Sequence, residues 1–381
     1  MKQTEIKNKG RLAKILKKYS NVIFFILIIG VTALIILTQV DPVTFINIIK
    51  EAKPIYLLLG IICIFIYWLL EAFMLLMLMK REKPNEKFSF AFTLTMVGQY
   101  YNLLDPSSSG GQPLQLYEMS KKGYGLGAGT AVLVKKYALY QVAITFLAIA
   151  ATIFSITELH RSLDAAKWLI SIGLILNVTA VVFIFILIYN PMAGKKIILG
   201  CVKLLLKMHI LRDPEKNYRK VDHFVGEYKI AIKSLTSEKW ETFQLFLISI
   251  VQMLIFYSVN YWVYLSLGLS GTNAITIISL QAILYVAVAF IPTPGAAGGA
   301  EAGFLLIFGP IYGAGNAPIA MILWRIISFY FILVFSAIYL SIHSIKMGKF
   351  KAQQIEDELC HGVDDLIEEN ENKGNQAEDN H

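Results

Sequence analysis

Phe290-Ile-Pro-Thr-Pro-Gly-Ala-Ala-Gly-Gly-Ala-Glu-Ala-Gly303 lies inside a run of membrane-grade hydrophobicity, yet it carries two prolines, four glycines and a carboxylate. Pro292 and Pro294 cannot continue a helix. Gly295, Gly298 and Gly299 favour a turn or a close approach of backbones. Broken backbone at membrane depth is tolerated only where protein or a water-filled cavity shields it. An ionisable group in the same place, here Glu301, marks a candidate functional site. Taken alone, the stretch also reads as a kinked helix or as a loop at the bilayer surface.

Working outward, the chain of 381 residues is 56% hydrophobic and 16% charged, against roughly 25% charged in soluble domains. Apolar runs of about 18 residues or more recur, the pattern of a polytopic all-α membrane protein. The net charge of +8 comes from basic residues flanking these runs. It reads as membrane orientation, not as nucleic-acid binding. Cys63, Cys201 and Cys360 lie far apart, in no metal or disulfide spacing. Residues 1–20 form a basic N-terminus. The apolar run 21–40 reads as a retained first span, because no small-x-small cleavage site precedes Asp41-Pro42.

Further spans are expected at about 55–79, 131–156, 168–189, 243–267 and 319–345, with a short apolar run at 88–104. Residues 190–241 hold eleven Lys and Arg with apolar residues such as Ile197, Ile198, Val202, Leu205 and Leu206. That mixture predicts cytoplasmic helices on the membrane surface. The acidic tail, 347–381, predicts disorder. The positive-inside rule puts the N-terminus, the Lys80–Lys87 loop, the 190–241 region and the C-terminus in the cytoplasm. Keeping that parity requires 88–122 to enter and leave from the inner side and 274–311 from the outer side. The expectation is six full spans plus two re-entrant helical hairpins. Both tips read Pro-x-x-x-Gly-Gly, at Pro106–Gly111 and Pro294–Gly299. Each follows two spans and precedes one, which forms an inverted repeat, the sequence pointer to a transporter's binding site.

These residues also resemble a known family. Pro294-Gly-Ala-Ala-Gly-Gly-Ala-Glu301 is similar to the Pro-Gly-rich-Glu motif of the lysylphosphatidylglycerol synthase transmembrane (flippase-like) family. Asn102 and Pro106-Ser-Ser-Ser-Gly-Gly-Gln-Pro113, continuing to Lys122-Gly123, resemble its N-terminal motif. Trp324-Arg325 matches the basic residue of its last span. The resemblance runs over about 20–346. It implies a cell-membrane domain that moves phospholipid between leaflets, notably lysyl-phosphatidylglycerol, a lipid tied to antimicrobial peptide resistance. Full-length members add a soluble domain that transfers lysine to phosphatidylglycerol. This sequence passes to its acidic tail instead, so lysyl transfer is not expected of it alone. Two positions depart from the family pattern. Gln112 stands where a carboxylate is common, and Lys135-Lys136 stand where an acidic–basic pair is common.

The candidate lipid-binding residues are Pro106, Ser107, Ser108, Ser109, Gly110, Gly111, Gln112, Lys135 and Lys136 in the first half. In the second half they are Pro294, Gly295, Gly298, Gly299, Glu301 and Arg325. Half-helix N-termini at the tips would favour a phosphate, with the serines as hydroxyl donors or as simple caps. Lys135 and Lys136 would attract phosphate or snorkel at the membrane edge. Arg325 needs a partner inside the membrane, and Glu301 is the natural one. Glu71, Tyr100, Tyr101, Asn102, Tyr117 and Glu118 are further candidates at the inner hairpin. No metalloprotease, nucleophile-elbow or P-loop motif occurs, and no cofactor or metal is expected. Three functions follow: a lipid translocase, a phosphatidylglycerol lysyltransferase, or a membrane subunit that recruits a lipid-modifying enzyme.

Overall fold

The computed structural model describes residue 50 and residues 52–105, 110–154, 164–208 and 213–343. Ser107 to Ser109, Pro106, the expected first span and the acidic tail lie outside them. The described secondary structure is helical: α1 (Pro54–Lys80), α2 (Phe88–Leu104), α3 (Gly111–Lys121), α4 (Leu126–Phe154), α5 (Asp164–Tyr189), α6 (Pro191–Lys207), α7 (Pro214–Ser237), α8 (Lys239–Ser266), α9 (Ala274–Val288) and α10 (Gly299–Arg325). A 3₁₀ turn at Pro294–Ala296 precedes α10, and a π-helical segment, Ile326–Phe331, follows it. Met1–Leu333 and Val334–His381 are separate compact units. The described part of the second, 334–343, is helical.

Among the described residues, five stretches are long and apolar enough to cross a membrane: Pro54–Lys80, Leu126–Phe154, Ile170–Tyr189, Lys239–Ser266 and Pro294–His343. α1 shows how such a helix divides its surface. Leu58, Ile62, Ile66, Leu69 and Phe73 recur at helical spacing and are exposed, whereas Ile64, Trp68, Leu75 and Leu78 are fully buried. An apolar stripe left outward on a helix with a second, buried apolar face is what a lipid surround permits.

α1 and α8 run antiparallel. Lys53 N–H donates to Ser266 O at one end (2.8 Å), and Arg81 Nε donates to Glu241 Oε2 at the other (2.9 Å). This pair gives the bundle two ends against which the hairpins can be placed. α2 stops at Asp105 because the residue before a proline avoids helical dihedrals (φ −85°, ψ 130°). α3 then returns the chain to where α2 began. Lys83 Nζ bonds Lys122 O, and Tyr124 Oη donates to Glu86 at 3.0 Å. The α2–α3 hairpin therefore enters and leaves at the Arg81 end.

The second hairpin does the opposite. α9 starts under an Asn273 cap, whose side chain accepts from Thr276 N–H (2.8 Å), and Thr272 N–H donates to Tyr264 Oη (3.0 Å). The chain turns at 289–298. It comes back to Tyr312, whose hydroxyl donates to Asn260 O near the same end of α8 (2.9 Å). Gly313, at φ 77° and ψ 158°, breaks α10 there. The two hairpins thus enter from opposite ends, as the charge pattern predicts, and α2 contacts the Pro294–Ala296 turn at their tips.

The polar region between α5 and α8 divides in two. α6 buries none of its residues, as a surface helix should. α7 instead buries Val221, Val225, Tyr228, Ala231, Ile232 and Leu235, packing against α4.

Candidate lipid pathway between the hairpin tips

A cavity of about 330 Å³ opens where the tips meet. Asn102, Gln112 and Gln115 line it from the first hairpin, and Gly295, Ala296 and Ala300 from the second. Glu71, Lys136, Gln141, Asn177, Gln252, Gln281, Tyr285, Arg325 and Ser328 complete a polar wall drawn from α1, α4, α5, α8, α9 and the last helix. Such a wall within an apolar helix body marks a candidate binding site.

Glu301 and Arg325 meet. Arg325 Nε lies 2.7 Å from Glu301 Oε1, and both side chains are almost fully buried. The Nε–H is not aligned along that line, so the contact is an ion pair and not a directed hydrogen bond. Nη1 donates to Gly295 O (3.1 Å). The guanidinium also stands over the Trp324 and Phe329 rings, at 5.1 and 5.4 Å. Glu301 Oε2 accepts from Gly298 N–H at 2.6 Å, half of a capping box. Since a glycine has no side chain, the reciprocal bond cannot form. Arg325 and Glu301 together hold the tip in its shape. Gly295, Ala296 and Gly298 all have positive φ there (60°, 53° and 85°), and only glycine adopts such angles readily. The π segment begins directly after Arg325, and such bulges concentrate at functional sites.

In the first half, Lys136 pairs with Glu71, which also accepts from Gln99 Nε2 at 2.7 Å. Lys136 is at the cavity; its neighbour Lys135 is not. Lys135 is buried and bonded to Leu235 O and, at 2.9 Å, to Thr242 Oγ1. It joins α4 to the α7–α8 junction as the tenth residue of its helix, buried and not part of the cavity lining. Two amides of the first hairpin are taken by its own side chains. Gly110 N–H donates to Asp105 (3.1 Å) and Gly111 N–H to Asn102 (2.9 Å). Gly110, Gly111, Pro294, Gly298 and Gly299 shape the tips without lining the cavity, whereas Gln112 and Gly295 line it. Outside the spans, burial and then its bond to Glu86 push the Tyr124 hydroxyl well above the usual tyrosine range.

What sequence reading missed is the set of neutral amides. Asn260 Nδ2 donates to Gln281 Oε1 (3.0 Å), and Asn260 Oδ1 accepts from Tyr312 Oη (2.8 Å). Gln141 Nε2 donates to Asn177 Oδ1, and Asn177 Nδ2 to Gly173 O (2.8 Å). Three buried polar atoms on residues that line the cavity have no protein partner among the described residues: Gln252 Oε1, Gln281 Nε2 and Arg325 Nη2. A lone Gln or Asn inside a membrane-grade helix was the available signal. No group of three or more His, Cys, Asp or Glu that could hold a metal occurs among the described residues.

The family model of the lysylphosphatidylglycerol synthase TM region matches residues 22–336. The chain belongs to this family. It is also similar to a UPF0104 membrane protein of Archaeoglobus fulgidus, 24% identical over 333 residues, covering 86% of this chain and 98% of the relative. A UPF0104 membrane protein of Methanothermobacter thermautotrophicus is 24% identical over 327 residues, covering 81% and 91%. No solved structure gives a significant match. The family match covers both hairpins and every residue that lines the cavity. The lysylphosphatidylglycerol synthase TM region thus has two broken hairpins around one polar chamber in this member.

Proposed function

We propose that the protein is an integral membrane lipid translocase, which moves an anionic or aminoacylated phospholipid between leaflets. One observation carries this reading: two hairpins from opposite ends of an apolar bundle bring their tips to a single polar cavity. Such a site is reached from either leaflet by movement of one hairpin at a time, while acyl chains stay in lipid along the exposed apolar faces. In this reading the Arg81 end, with the Lys80–Lys87 loop and α6, faces the cytoplasm of the cell membrane, and both termini lie on that side. Membrane phospholipid is the partner, and a separate lipid-modifying enzyme is a natural supplier of modified lipid.

The test is leaflet exchange in vesicles containing the purified full chain and fluorescent phospholipids of several headgroups. Exchange faster than in protein-free vesicles, and reduced about tenfold or more by Lys136→Met, is expected. Exchange no faster than protein-free vesicles for every headgroup would refute the proposal.

A further inference from the structure

We infer that the headgroup this cavity takes is a phosphate ester carrying an uncharged, hydroxyl-bearing group, such as a glycerol or a sugar, in preference to one carrying an ammonium. The inference rests on the translocase reading only for the lipid that presents the headgroup.

An ammonium is held by a carboxylate, by free carbonyls or over aromatic rings, and of these only a carboxylate supplies a full opposite charge. Both acidic groups of the site are already committed. Glu71 is bound by Lys136 and by Gln99 Nε2. Glu301 is bound by Arg325 and by Gly298 N–H. An entering ammonium would meet two fixed cations and have to displace one of them from a buried partner, a strongly unfavourable exchange.

The unused groups ask for something else. Arg325 Nη2 is a buried donor with no protein partner among the described residues, and guanidinium N–H groups match phosphate oxygens. Gln281 Nε2 is a second such donor. Asn260 Nδ2 donates to Gln281 Oε1, which occupies the oxygen of that amide. The amide nitrogen is therefore what remains. Gln252 Oε1 is a buried acceptor with no partner. Gln252 and Gln281 are each 1% exposed. A hydroxyl both donates and accepts, so a polyol satisfies acceptor and donor together where an ammonium satisfies only the acceptor. Leaving such buried groups unmatched is unfavourable, and sites built on hydrogen bonds reject analogues that lack them.

The experiment measures binding, separately from exchange, by native mass spectrometry of the full chain in detergent against lipids with matched acyl chains. The panel is phosphatidylglycerol, phosphatidylinositol, a glycosyl-phosphoryl polyprenol, phosphatidic acid, phosphatidylethanolamine and an aminoacylated phosphatidylglycerol. At least one hydroxyl-bearing lipid should bind about tenfold tighter than the last three, and Gln281→Leu or Gln252→Leu should each erase most of that preference. Which one binds separates a glycerophospholipid from a glycosylated polyprenyl phosphate. Gln252→Glu keeps the shape and adds a carboxylate, and should raise binding of the ammonium-bearing lipids. Wild-type binding of an ammonium headgroup as tight as the hydroxyl-bearing ones, or a preference untouched by both leucine variants in folded protein, would overturn the inference. Headgroup preference without leaflet exchange would leave it standing and sink the translocase reading. Exchange without preference would do the reverse.

Discussion

Replacing Arg325 by methionine keeps a long side chain but leaves Glu301 buried without its cation. The structure specifies what is lost: the 2.7 Å ion pair, the bond to Gly295 O, and the contacts with the Trp324 and Phe329 rings. Breaking a buried pair from one side costs about 3–5 kcal/mol, mostly because a charge is stranded. Glu301→Gln should cost less. Its side-chain oxygen still accepts from Gly298 N–H, and Arg325 keeps Gly295 O and the rings. The double variant strands no charge, so it should be more stable than Arg325→Met alone by about 1–3 kcal/mol. Unfolding free energies of the four proteins, titrated with denaturant in mild micelles, complete the cycle. Strictly additive costs, with a coupling below about 0.5 kcal/mol, would refute the view that this pair locks the outer hairpin.

Other outcomes follow from single positions. A Cβ at Gly295 would overlap the Phe329 ring, at φ +60°; Gly295→Ala should destabilise by more than about 1 kcal/mol, and Phe329→Ala in the same chain should return the steric part but not the backbone part, as thermal unfolding in micelles will show. Lys136→Met should lower the melting temperature more than Lys136→Met combined with Glu71→Gln, since only the single variant strands a carboxylate. Tyr124 holds its proton more tightly folded than unfolded, so its contribution is present below the unfolded tyrosine value of about 10 and is lost as pH rises above it. Tyr124→Phe should therefore flatten the fall in melting temperature above about pH 10; an unchanged slope would contradict the assignment.

The hairpins were legible because their signals are local and strong. Pro-x-x-x-Gly-Gly breaks a helix wherever it falls, and clustered lysines fix which end each hairpin uses. The end of α2 at Leu104 follows from Asp105-Pro106 alone. The Glu301–Arg325 pair was legible because a buried charge needs a partner and few exist. Lys135 and Lys136 could not be told apart from sequence. Adjacent residues point about 100° apart on a helix, so one reaches Glu71 and the other Leu235. Only the packing of α7 against α4 decides which. The amides were harder still. Gln141, Asn177, Gln252 and Gln281 sit on four helices far apart in sequence, and tertiary structure alone brings them to one wall.

Three amides at the hairpin tips are closed from within, which lowers what they can offer an anion. Gly110, Gly111 and Gly298 N–H groups are each closed by a side chain of their own hairpin: Asp105, Asn102 and Glu301. Two of these caps are carboxylates, which neutralise the positive helix end. On the proposed headgroup reading, recognition of charge rests on Arg325 and recognition of shape on amides of α8 and α9, which would place stability and selectivity on different residues. Substitutions at Gly295, Gly298 or Glu301 should act on whether the hairpin forms, and substitutions at Gln252 or Gln281 on what the formed cavity accepts. A variant at Gln281 that lowered stability as much as Arg325→Met, while leaving headgroup choice intact, would show that this division is false.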